Sequence, residues 1–277
     1  GKFLVLYRDR RERTRRVYSL HHAIRAYDFG QSHHALRACD VSRGSAGSKF
    51  ELFGIMTTIM EIQNRRIRFV DGFKIRDLLE DDFGIVEIHS SQMTIEKPKF
   101  WIPKNEVWVD YPYRNEAEFL IEMNDFTFPT ETETYEMRRA MAKEKFCIFP
   151  NDGSHIVKTE EKNELKVQYV DGGKVRRIFD PEFTLGGHDL VYDYIPLNEI
   201  WLDHKMDEKE IPYILFHEKV ERKLMVEGKP YHIAHEFAIV ADKEMRRKDG
   251  VGHYAGDPNY SWKGKTNEEF RLQFYVE

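Results

Sequence analysis

Lys166-VQYVDGGKVRRIFDPEF-Thr184, followed by Tyr194-IPLNEIWLD-His204, repeats an earlier pair of segments, Arg66-IRFVDGFKIRDLLEDDF-Gly84 and Trp101-IPKNEVWVD-Tyr111. Val70, Asp71, Gly72, Lys74, Arg76 and Phe83 match Val170, Asp171, Gly172, Lys174, Arg176 and Phe183. Ile102, Pro103, Asn105, Glu106, Trp108 and Asp110 match Ile195, Pro196, Asn198, Glu199, Trp201 and Asp203. Shared identities in the same order mark an internal duplication, with a longer loop between the blocks of the first copy. Within each copy, Val167 and Tyr169 read as a strand entering Asp171-Gly172, a dipeptide that favours a hairpin turn. Val175 and Ile178 are then expected on the returning strand. Asn198 to Asp203 reads as a short strand, with Ile200 and Leu202 on one face and Trp201 on the other. Pro196 fits just ahead of it. Fold maintenance alone would account for the shared Asp-Gly, Trp and Pro positions.

The chain has 277 residues, enough for two domains or one large one. Its 41% apolar and 13% aromatic content can supply a core, and its 33% charged residues leave a net charge of only -5. That balance argues against a general polyanion-binding surface. No apolar run approaches the roughly 20 residues of a membrane span, and no secretory leader is expected. Cys39 and Cys147 are the only cysteines, so a disulfide scaffold and a Cys-rich zinc ribbon are excluded. Two thiols suit a reducing, cytoplasmic setting. The expected architecture is α+β: a mixed, basic amino-terminal segment (1–62), a first module (63–150), a second module (160–262) and a tail or strand (263–277).

The copies diverge after the second strand, where copy two continues as Ile214-LFHEKVERKLMVEGKPYHIAHEFAIVADKE-Met245. Asp207 reads as a cap with an acidic first turn behind it, and Ile211, Ile214, Leu215, Leu224 and Met225 suit one helical face. Gly228 is expected to end this helix. A second helix then runs from about Pro230 to Arg247. Residues four apart on a helix point the same way, so His217 and Glu221 can reach one ion. His235 returns as a third ligand after the turn. Any metal must be held by such His and carboxylate donors; the set suits zinc, or manganese or iron given the carboxylate. Glu218 lies beside His217, where it could act as general base on a bound water. Tyr231, or His188 behind the Gly186-Gly187 pair in a flexible loop, could steady an oxyanion. In copy one, His217 and Glu218 correspond to Asn124 and Asp125, Arg139 stands opposite His235, and Pro129 interrupts the helix. The alternative is a polar cluster in which His217 and His235 bond to Glu221 and Glu218 and hold two helices together without metal.

The layout resembles the His-Glu-x-x-His helix of zincin metallopeptidases, with Glu221 in place of the second His. The run also resembles a group of uncharacterised phage and prokaryotic proteins, themselves similar to degenerate zincin-like metallopeptidases. Their pattern is carried here by Gly186, Gly187, His188, Ile195, Pro196, Glu199, Ile200, Trp201, His217, Glu218, Glu221, Arg222, Leu224, Met225, Tyr231, Ala234 and His235. The resemblance covers about 80 residues of copy two, more weakly copy one, and none of the first 60. It implies a metal-dependent hydrolase of peptidase type acting on a protein or peptide, in a host cytoplasm or a virion. A non-enzymatic phage-type structural or interaction protein is the competing expectation.

At the amino terminus, Lys2-FLVL-Tyr7 reads as a strand, and Arg8-DRRERTR-Arg16 packs six Arg into nine residues. The basic run could touch phosphates, which makes nucleic-acid binding a third possibility, against a solvated hairpin arm. Val17-YSLHHAIRAYD-Phe29 and Ser32-HHALRA-Cys39 read as helices, and Arg43-GSAGS-Lys49 as a flexible loop. No Walker loop, G-x-G-x-x-G or G-x-S-x-G elbow is present.

Overall fold

The computed structural model describes residues 4–6, 17–19, 61–62, 65–78, 83–88, 102–103, 105–128, 130, 132–162, 164–251 and 267–276. The chain divides into one unit at Gly1–Thr58 and another at Ile59–Glu277. In the first, β1 (Leu4–Leu6) pairs antiparallel with β2 (Val17–Ser19). Val17 and Tyr18 are therefore strand residues and not the start of a helix. The Arg8–Arg16 run, the expected helix at Ser32 and the loop at Arg43 lie outside the described residues.

The second unit contains the duplication and is α+β. Copy one runs β3 (Glu61–Ile62), β4 (Arg65–Val70), α1 (Gly72–Leu78), β5 (Val86–Ile88), β6 (Glu106–Asp110), α2 (Ala117–Thr127) and α3 (Tyr135–Phe146). Copy two runs β7 (Ile156–Lys162), β8 (Leu165–Val170), α4 (Gly172–Ile178), β9 (Gly186–His188), β10 (Glu199–Asp203), α5 (Ile211–Val226) and α6 (Tyr231–Lys248). A last helix, α7 (Asn267–Leu272), follows. The sheets have matching orders, β3-β4-β6-β5 and β7-β8-β10-β9. In each, the two inner strands are parallel and the outer strands antiparallel to them.

The parallel pairing overturns the hairpin expected at Asp171-Gly172, because a two-residue turn joins only antiparallel strands. The Asp is a helix cap instead. Asp71 accepts the Lys74 amide at 2.9 Å, and Asp171 accepts the Lys174 amide at 3.3 Å. The glycine serves close approach. A Cβ on Gly72 would fall 2.1 Å from Asp110 Oδ2, and one on Gly172 would fall 1.8 Å from Asp203 Oδ2. Those carboxylates instead accept the Gly72 amide at 3.0 Å and the Gly172 amide at 3.3 Å. The conserved Glu-x-Trp has a similar cause: the Trp108 indole donates to Glu106 at 3.2 Å, and Trp201 to Glu199 at 2.9 Å.

The remaining identities build two equivalent cores. Val70, Ile75, Phe83, Ile102 and Trp108 cluster in copy one as Val170, Val175, Phe183, Ile195 and Trp201 do in copy two. The opposite faces of both sheets, including Val107, Val109, Ile200 and Leu202, share one cluster with Leu120, Phe146 and Leu215 from the helices. The expected split of Ile200 and Leu202 from Trp201 holds.

Two buried arginines cross between the copies. Arg76 donates to Asp110 of its own module at 3.0 Å and to Glu210, the residue just before α5 of the other. Arg176 donates to Asp203 at 3.3 Å and to Glu116, the residue just before α2 of the other, at 3.1 Å. Each guanidinium also reaches a carbonyl at 3.1 Å, Phe83 or Phe183. The modules thus exchange equivalent ion pairs.

The carboxyl-terminal segment completes copy one as the start of β7 completes copy two. The Asp71 amide donates to the Phe274 carbonyl at 2.8 Å, and the Asp171 amide to His155 at 2.7 Å. Lys74 Nζ reaches the Gln273 carbonyl at 2.9 Å, and Lys174 Nζ the Ser154 carbonyl at 3.0 Å. Tyr275 bridges to Val70, as Ile156 pairs with Val170. Within the segment expected to be a tail or strand, the described residues form α7 and then the bridge at Tyr275.

Candidate metal centre

α5 and α6 form a helix hairpin closed at Gly228, whose φ is 88°. The Gly228 amide bonds the Met225 carbonyl and the Lys229 amide the Leu224 carbonyl, both at 2.9 Å. This is the left-handed helix end that glycine permits, and it lies where the sequence placed it. Asp207 does not cap α5 directly. It accepts the Lys209 amide at 2.9 Å in the turn before, and Glu210 takes the cap position.

The hairpin brings the three expected ligands together. His235 Nδ1 lies 2.7 Å from Glu221 Oε2, His217 Nε2 lies 3.2 Å from His235 Nδ1, and His217 Nε2 lies 3.6 Å from Glu221 Oε2. Around a tetrahedral zinc with bonds of about 2.0–2.1 Å, neighbouring donors sit about 3.4 Å apart. The three atoms therefore need to move by well under an ångström to hold one ion. Tyr231 stacks on the His235 ring, with centroids 5.5 Å apart, and orients it.

His188 is placed differently from the expectation of a flexible loop. It is a fully buried residue of β9, paired opposite Ile200, and its Nε2 lies 3.0 Å from Glu221 Oε1. The Gly-Gly pair before it makes room. A Cβ on Gly186 would come within 3.0 Å of Ile214 and Glu218, and one on Gly187 within 2.4 Å of Tyr192. Glu221 thus has a histidine on each side. Burial alone would raise its pKa, but hydrogen bonds from His188, His217 and His235 prevail and hold the carboxyl well below the usual range.

Glu218 faces β9 and is buried in the opposite electrostatic state. Desolvation, then the charge of Glu221, push its pKa well above the usual carboxylate range, with His235 offsetting only a part. The two carboxyls are pushed in opposite directions, Glu221 down and Glu218 up, a pattern characteristic of acid–base sites.

Sequence reasoning missed the supports. Asp189 holds Arg222 through bonds of 2.6 and 3.0 Å, and Arg222 also donates to Asn198 at 2.8 Å. Asp242, buried on α6, faces His217 and pairs with Arg246 at 3.0 Å. Its position two turns beyond His235 on one helix face was the available signal.

Copy one uses the corresponding positions structurally. Asp125 pairs with Arg65 at 3.0 Å, and Arg139 pairs with Asp180 at 2.7 Å. α2 ends at Thr127, with Phe128 extended, so it stops short of the turn that carries Glu221 in copy two. Among the described residues, both groups of donors able to hold a cation lie in copy two. Comparison with protein-family models, curated proteins and solved structures gives no match to this chain.

Proposed function

We propose that copy two is a metal-dependent hydrolase of the metallopeptidase type, with copy one a non-catalytic partner module. The observation that carries this reading is the convergence of His217 Nε2, Glu221 Oε2 and His235 Nδ1 at separations of 2.7–3.6 Å. Two imidazoles and a carboxylate are a competent zinc set, and manganese or iron would also accept it. A bound ion supplies an acidified water and a Lewis acid for a carbonyl. The charge of a bound cation would favour the ionised form of Glu218, which could then act as base toward that water, and Tyr231, half exposed at the rim, could donate to a polarised carbonyl oxygen. The resemblance to zincin-like modules points to a protein or peptide substrate. Elemental analysis of tag-free protein is expected to show about one ion per chain. His217→Ala and Glu221→Ala lose it, while Glu218→Gln keeps it and loses hydrolysis of an unstructured protein substrate. A second reading, a metal-free polar clasp between α5 and α6, is favoured by the same direct contacts. Protein that takes up no zinc, manganese or iron on supplementation would establish that reading instead.

A further inference from the structure

We infer that His188 is a positioning residue that turns one oxygen of Glu221 toward the metal centre, and is not a ligand to a second ion. The inference rests on the metal reading above. On donor count alone a second site exists, because ligand atoms of His188, Glu218 and Glu221 also lie within 4.8 Å of one another. The hydrogen bonding of the ring decides otherwise. The Leu190 amide donates to His188 Nδ1 at 3.2 Å. A neutral imidazole has one donor and one acceptor nitrogen, so the proton is on Nε2. That N–H faces Glu221 Oε1 at 3.0 Å. Nε2 could bind a cation only by losing this proton, which would leave the ring anionic or force it to give up the Leu190 bond.

The backbone that carries the ring is also held. The His188 carbonyl accepts the amides of Val191 and Tyr192, both at 3.1 Å. The next residue, Asp189, grips Arg222, the neighbour of Glu221 on α5, and accepts the Asn198 amide at 2.9 Å. The end of β9 is thereby tied to α5 at the level of the ligand it serves. With Oε1 engaged by His188, Oε2 is left to His217 and His235, and Glu221 binds through one oxygen. A donor behind a metal-binding carboxylate fixes its orientation.

Two measurements on the full chain test this. In 15N NMR of the histidine rings, His188 is expected to remain protonated at Nε2 before and after zinc is added. A metal-coordinated Nε2 would overturn the inference. In zinc titrations against a chromogenic chelator, His188→Ala is expected to bind about 10–100-fold more weakly. His188→Gln, whose amide N–H reaches the same oxygen, recovers most of the loss. Equal affinity in His188→Ala and the wild type overturns the inference and leaves the metal reading standing; a wild type that takes up no zinc overturns both. If the alanine variant does not fold, the wild-type NMR result decides alone.

Discussion

Replacing Arg176 with Met keeps the stem of the side chain and removes the charge that joins the two copies. Arg176 is fully buried, and so is the Asp203 carboxylate it neutralises. In the variant, Asp203 keeps only the amides of Gly172 and Lys205, at 3.3 and 3.0 Å. Glu116 keeps Lys205 at 2.5 Å, so it is less exposed to the loss. Removing one partner from a buried pair leaves an uncompensated charge and costs about 3–5 kcal/mol. For a unit of this size each kcal/mol lowers Tm by about 2–4 °C, so a fall of about 6–20 °C is expected. Arg76→Met should cost a comparable amount, because Asp110 is then left with the Gly72 amide at 3.0 Å, although Glu210 retains Arg246 at 2.5 Å. Urea unfolding followed by tryptophan fluorescence measures both. Because the shared core and the other exchanged pair still join the copies, each variant should unfold in one transition. A loss below about 1 kcal/mol in Arg176→Met would refute the reasoning.

Two other outcomes follow from the same charges. Glu218→Leu should raise stability by about 1–2 kcal/mol while removing activity, since a buried carboxyl pressed by a like charge is exchanged for apolar packing; a destabilised variant would show that the fold depends on this group. Asp77 has its pKa raised to about 6 by burial, with Glu210 and Asp242 adding to the effect and Arg246 opposing it. Its native state therefore holds a proton more tightly than the unfolded chain, so its penalty is full above about pH 6 and fades toward pH 4. Thermal melts should show the wild type gaining on Asp77→Asn as pH falls from 7 to 4, and a constant difference would contradict the shift.

The duplication was legible because its residues make a self-contained unit. Within copy one Gly72 and Arg76 bond to Asp110, Asp71 caps at Lys74 and Trp108 bonds to Glu106; within copy two Gly172 and Arg176 bond to Asp203, Asp171 caps at Lys174 and Trp201 bonds to Glu199. The helix hairpin was legible from Gly228 and from the spacing of His217 and Glu221. What local pattern did not convey was pairing at a distance. Asp-Gly is equally good as a hairpin turn and as a strand-to-helix cap, and only the parallel partner strand decides between them. Glu210 and Glu116 read as ordinary acidic residues near helix starts; their burial depends on arginines 134 and 60 residues away. His188 was assigned to a loop because Gly-Gly suggests freedom. Here Gly186 marks where α5 comes too close to β9 for a side chain, and Gly187 where the Tyr192 ring does.

The difference between the copies bears on what the histidines are for. Both copies form the four-stranded sheet, the paired helices and the exchanged arginine contact, so the scaffold does not require a His–Glu cluster. Copy one stabilises the equivalent helix position with Asp125 and Arg65 near the surface, which desolvates little. Copy two extends α5, has Gly186 where β9 and Glu218 meet, and buries two carboxyls and a histidine there. Burying ionisable groups in this way opposes folding. Such local costs persist where the arrangement serves something other than stability. The arrangement created here has one carboxylate held by a donor on β9, two imidazoles across from it and a second buried carboxyl alongside, a donor set that suits a cation better than a helix clasp.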